Sequence, residues 1–154
     1  MKFPIPMLAF SLVLAASAVV WSGSAEADCL LKYREVLMSG GFSGLTDCDH
    51  NQIAVREVGT IAIHKHEYTV LDYRYKAAPT PGGSVHGGQR VLIIDDGHYI
   101  GQYALSPPPL RSMTVTTMSI IVDVPAANGR EIKFTDSGAP LQAYVDFEIR
   151  QLFK

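Results

Sequence analysis

From Asn51 onward apolar and polar residues alternate with a period of two, which predicts strands rather than helices. Ile53-Ala54-Val55 and Thr60 to Ile63 alternate, and Tyr68 to Lys76 is rich in tyrosine and β-branched residues. His64-Lys65-His66-Glu67 lies between two such segments and reads as a hairpin tip. The strongest local signal is Asp96-Gly97 between Arg90–Asp95 and His98–Leu105. A type I′ turn needs positive φ at both central residues, which Asp-Gly tolerates. That turn sets an expected register, with Asp95 facing His98, Ile94 facing Tyr99, Ile93 facing Ile100, Leu92 facing Gly101 and Arg90 facing Tyr103. Val91 to Ile94 is apolar on both faces, as a central strand is.

Further along, Thr114 to Val124 reads as one long strand. Its apolar phase shifts near Thr116, which implies a bulge or a change of sheet. Asn128-Gly129 marks a turn, Glu131 to Thr135 a strand, and Asp136-Ser137-Gly138 another turn. Gln142 to Phe153 reads as a last strand, with Val145, Phe147 and Ile149 on one face and Asp146, Glu148 and Arg150 on the other. Proline and glycine make Ala78 to Gly88 a loop, and Pro107-Pro108-Pro109 make Ser106 to Leu110 a stiff crossover. Before all this, Leu30 to Met38 fits a short helix stopped by Gly40 and Gly41, with a strand as the alternative. The chain is therefore expected to be mostly β: an antiparallel β-sandwich or small β-barrel of seven to eight strands with one short N-terminal helix. No repeat or linker divides it, so residues 28–154 form a single β-rich domain.

The first 27 residues change the setting. Lys2 is followed by an apolar run from Met7 to Trp21, then Ser22-Gly23-Ser24 and the small-residue pattern Ala25-Glu26-Ala27. This is the layout of a cleavable signal peptide. The run is shorter than the roughly 18 residues that a membrane-spanning helix needs. Asp28 before Cys29 is wrong for a lipoprotein signal. The mature chain contains no second long apolar run, so no transmembrane anchor is expected after cleavage. Localisation is then periplasmic or secreted, and Cys29 and Cys48 are expected to form a disulfide. Losing Lys2 and Glu26 together leaves the formal charge at -2. A slightly acidic chain without basic runs lacks the electrostatic footprint of a nucleic-acid partner.

Four constellations carry candidate chemistry. His64-x-His66, if on a strand, puts two imidazoles on one side as a metal pair, completed by a ligand such as His86, His98 or Asp72. His86-Gly87-Gly88 resembles a backbone oxyanion loop, but the nucleophile elbow such a loop serves is absent; Gly41-Phe42-Ser43-Gly44 lacks its last glycine. Asp95 beside His98 offers a carboxylate–imidazole pair, either a general base or an ordinary turn-end ion pair. Tyr68, Tyr73, Tyr75, Tyr99 and Tyr103 are either core or a recognition surface. Tyr99 and Tyr103 flank Gly101 on one expected face, with Arg90 opposite. An arginine–tyrosine cluster around a notch suits ligand binding.

Each catalytic constellation lacks a member. The favoured expectation is a small exported non-enzymatic binding module for a protein, glycan or cell-wall ligand, using Arg90, Tyr99 and Tyr103 and no cofactor. The alternative is a metal-binding protein or metal-assisted hydrolase using His64 and His66. A small outer-membrane barrel ranks last, because the lipid-facing alternation it requires is not visible.

Overall fold

The computed structural model describes residues 32–44, 53–77, 86–105, 111–123, 131–145 and 148–154. The signal peptide, Cys29, Cys48, the proline crossover and Asn128-Gly129 lie outside these residues. Among the described residues the fold is mostly antiparallel β, with nine strands in three sheets and one short helix. None of these residues forms a helix long and apolar enough to cross a membrane.

The largest sheet is a four-stranded meander: β1 (Ile53–Ile63), β2 (His66–Ala77), β3 (His86–Asp95) and β4 (His98–Ala104), in that spatial order. The Asp96-Gly97 turn forms as expected, with φ of 45° and 80° at its two residues. β3 is central and buried on both faces, Val91 and Ile93 turned to one side and Leu92 and Ile94 to the other. It starts earlier than its composition indicates. His86, Gly87 and Gly88 pair with Ala77, Lys76 and Tyr75 instead of looping, and the Tyr75 ring occupies the space above Gly88.

The two outer strands of this sheet each carry a bulge followed by a glycine. In β1 the register slips between Glu57 and Gly59, and in β4 the extra residue is Ile100. A bulge bends and twists its strand. At both glycines another segment closes in: a Cβ on Gly59 would lie 3.2 Å from Val115, and one on Gly101 would lie 2.9 Å from Leu152. The β4 bulge also corrects the expected register. Ile94 opposes Tyr99, but Ile93 opposes Gly101, Leu92 opposes Gln102, Val91 opposes Tyr103, and Arg90 opposes Ala104.

The remaining strands are shorter than the sequence pattern implies. The expected strand Thr114–Val124 is a hairpin, β5 (Met113–Val115) and β6 (Ser119–Val122). Its phase shift is the turn itself, closed by Thr116 N–H donating to Ser119 O at 2.8 Å. β7 (Glu131–Lys133) joins β6. The expected last strand is likewise a hairpin, β8 (Gln142–Val145) and β9 (Glu148–Gln151). Val145 and Ile149 therefore face opposite ways, Val145 buried and Ile149 exposed. Past β9 the chain reaches back to β4, where Gln102 and Phe153 exchange two backbone hydrogen bonds of 2.7 and 3.1 Å.

Two apolar clusters hold these layers together. One takes Ile61, Val70, Ile93 and Tyr103 from the large sheet and Ile120, Ile132, Phe134 and Val145 from the others. The second lies on the opposite face of the large sheet, where Leu71, Tyr73, Leu92, Ile94 and Tyr99 meet Leu37 and Phe42. Full burial of such a side chain contributes about 1.5–3 kcal/mol. Leu37 belongs to α1 (Arg34–Ser39), a shorter helix than expected within the described residues. Gly41, at φ 85°, ends it and lets Phe42 N–H bond back to Leu37 O at 2.9 Å.

Candidate functional site

The expected tyrosine patch is not a surface. Tyr99 and Tyr103 are 2% and 0% exposed, and the Ile100 bulge sends them to opposite faces of the sheet, one into each apolar cluster. The notch over Gly101 is filled by Leu152 and the Phe153 carbonyl. Burial pushes the Tyr99 phenol up to about 12 and raises that of Tyr103 further. The Tyr103 hydroxyl donates to Pro140 O. Arg90 is half-buried, lies 5.0 Å from the centre of the Tyr75 ring, and donates to Gln102 Oε1 at 3.0 Å. Tyr68 and Tyr73 are core as well.

The histidine pair is also rearranged. His64 and Lys65 are the two turn residues between β1 and β2, and His64 takes φ 54°, while His66 pairs with Ile63 as the first residue of β2. The two imidazoles therefore have different partners. His64 Nε2 lies 3.5 Å from Asp136 Oδ1, in the Thr135–Gly138 turn after β7. His66 Nδ1 lies 3.0 Å from Asp95 Oδ1 and 3.1 Å from Asp96 Oδ2. The additional ligands expected from sequence are elsewhere. Asp72 is buried and held by Arg74 Nη2 at 2.8 Å and Gln89 Nε2 at 2.8 Å. His98 Nδ1 lies 3.1 Å from the Asp96 carbonyl oxygen. His86 opens β3, at the end of that strand remote from Asp95. Although Asp95 and His98 do oppose each other in the ladder, the imidazole nearest the Asp95 carboxylate is that of His66.

The β2–β3 register explains why His66 meets the aspartates. Tyr68 opposes Asp95, so the chain two residues earlier in β2 runs alongside the Asp96-Gly97 turn. Two hydrogen bonds fix the juxtaposition: Asp96 N–H donates to Glu67 O, and Glu67 N–H donates to Asp96 Oδ1, both at 3.0 Å. The His66 ring lies over Tyr68, with centroids 6.0 Å apart. Hydrogen bonding to Asp95, then the charge of that carboxylate, raises the His66 pKa above its ordinary value. Three turns thus gather at one end of the molecule, tied by His64–Asp136 and by His66 with Asp95 and Asp96. The side chains of His64, His66, Asp96 and Asp136 remain open to solvent.

Asp96 and Asp136 played no part in the chemistry expected from sequence beyond their turns. The sequence shows the two tips, one with histidines and one with aspartates; it is the pairing of β2 with β3 that brings them side by side. No protein-family model matches the chain, and no curated protein or solved structure matches it.

Proposed function

We propose that this chain is a small exported, non-enzymatic binding module, periplasmic or secreted after loss of residues 1–27, that engages its ligand through the three-turn rim. The observation that carries this reading is the convergence of the 64–65, 96–97 and 135–138 turns, cross-tied by histidine–aspartate contacts and presented on a doubly packed sheet. Recognition residues commonly sit on turns held by a rigid scaffold. Glu67, Asp95, Asp96 and Asp136 outnumber Lys65 there, so the rim favours cationic ligands. A small barrel is the finer architecture we favour. Its support is that β1 lies against β5, β7 lies beside β8, and the chain after β9 bridges to β4 around one apolar cluster.

The test is capture from periplasmic and cell-wall extracts by the mature domain. A His64→Ser/Lys65→Ser/Asp136→Asn variant should lose the captured partner with its circular dichroism unchanged, while Tyr144→Ala, on the β8–β9 hairpin, should keep it. Equal capture by the rim variant overturns the reading.

A further inference from the structure

We propose that His66, Asp95 and Asp96 form a binding site for one divalent transition-metal ion of the zinc, cobalt, nickel or copper class. This names a ligand for the rim and rests on the rim being the binding element.

The argument is geometric first. A zinc-like ion bound at about 2.0–2.2 Å by two donors at tetrahedral or octahedral angles holds those donors roughly 3.0–3.5 Å apart. His66 Nδ1 stands 3.0 Å from Asp95 Oδ1 and 3.1 Å from Asp96 Oδ2, and all three donor atoms lie within 4.8 Å of one another. The separations that an ion requires along two edges of its coordination polyhedron are therefore already present. The third edge joins the two carboxylates, whose oxygens lie within 4.8 Å of each other.

The supports are also in place. Asp96 sits in a turn whose φ values are fixed by Asp-Gly chemistry, and its second oxygen, Oδ1, is occupied by Glu67 N–H. An outer hydrogen bond of this kind orients a metal-binding carboxylate and leaves Oδ2 for the ion. The imidazole is backed by the Tyr68 ring. His64 is turned toward Asp136 and is not a ligand, which separates this site from a His-x-His pair.

Donor chemistry selects the metal class. An imidazole nitrogen with two carboxylates suits borderline ions. Calcium and magnesium prefer six or more oxygens, or several retained waters. Two carboxylates also neutralise a divalent charge. The half-exposed His66 and Asp96 leave the remaining coordination positions to water or to an added ligand.

The experiment is titration of chelator-stripped mature protein with zinc sulfate by calorimetry, repeated in a large excess of magnesium and calcium. One saturable zinc per chain, undisturbed by the hard ions, is the expected result. His66→Ala and Asp95→Asn/Asp96→Asn should each weaken binding on the order of tenfold or more, with circular dichroism unchanged, while His64→Ala should bind as the parent does. Nuclear magnetic resonance should show the His66 imidazole among the resonances perturbed by zinc. No saturable binding, or binding that survives His66→Ala, overturns the proposal. The purified protein alone is used, so a zinc failure refutes this site without touching partner capture by the rim. Equal capture by the rim variant refutes the rim reading independently of zinc.

Discussion

The β3–β4 and β8–β9 hairpins are built alike and packed differently. β3 carries apolar residues on both faces, and β4 sends Tyr99 into one cluster and Tyr103 into the other. β8–β9 buries Ala143 and Val145 on one face, while its cross-strand pair Tyr144 and Ile149 is 51% and 66% exposed on the other. A hairpin buried on both faces has its register specified twice, because a slip of one residue would misplace both rows. A hairpin buried on one face has it specified once. The tyrosines of the first hairpin are therefore expected to be structural, and the tyrosine of the second dispensable to the fold.

The sharpest test of that contrast is a pair of truncations. Tyr103→Ala should cost about 3–5 kcal/mol, as loss of a fully buried ring does. Tyr144→Ala should fall within about 0.5 kcal/mol of the parent. Urea denaturation of both variants measures the gap, and equal costs would erase the distinction. The turn comes next. Gly97, at φ 80°, has open space around it, so Gly97→Val tests backbone strain alone. A β-branched residue there should cost about 1–2 kcal/mol. An unchanged melting temperature would mean that burial, not turn chemistry, fixes this hairpin.

The smallest effect separates the two buried tyrosines from each other. The Tyr99 hydroxyl has no hydrogen-bond partner among the described residues, whereas that of Tyr103 donates to Pro140 O. Tyr99→Phe should change stability at neutral pH by less than about 1 kcal/mol, while Tyr103→Phe should cost about 1 kcal/mol. The Tyr99 phenol is raised by burial from 10.0 to about 12, against a weaker opposing pull from Arg90. Its contribution is full below pH 10 and is lost as pH rises toward 12, because the unfolded chain releases that proton first. Tyr99→Phe should therefore flatten the alkaline loss of stability, read from urea midpoints at pH 9 and pH 11. An identical slope in the variant would place the alkaline sensitivity elsewhere.

What was legible in the sequence follows the same division. The Asp96-Gly97 turn and the central position of β3 were readable, because turn chemistry and two apolar faces leave one arrangement. The alternation pattern makes the β5–β6 and β8–β9 hairpins look like single strands. Their reversals, at Thr116 to Met118 and between Val145 and Glu148, have no Asn-Gly or Asp-Gly to announce them. Gly59 and Gly101 carry a further signal, since an isolated glycine in a strand pattern often marks a bulge or a close approach. A bulge before Gly101 separates Tyr99 from Tyr103. The candidate site was half legible. His66 stands out in the sequence, but its aspartate partners depend on the pairing of β2 with β3, a contact between hairpins that alternation alone does not specify.

The β4 bulge has one further consequence, for insertions and deletions. Elsewhere in a strand, chain length and side-chain facing are locked together, so removing one residue inverts everything beyond it. At Ile100 they are uncoupled. Tyr99 already opposes Ile94 and Gly101 already opposes Ile93, with Ile100 supernumerary between them. Its removal would leave every other β4 residue opposite its present neighbour, at the cost of the bend and of the contact Ile100 makes with the first apolar cluster, whereas loss of Gln102 would carry Tyr103 to the opposite face of the sheet, away from the cluster it fills.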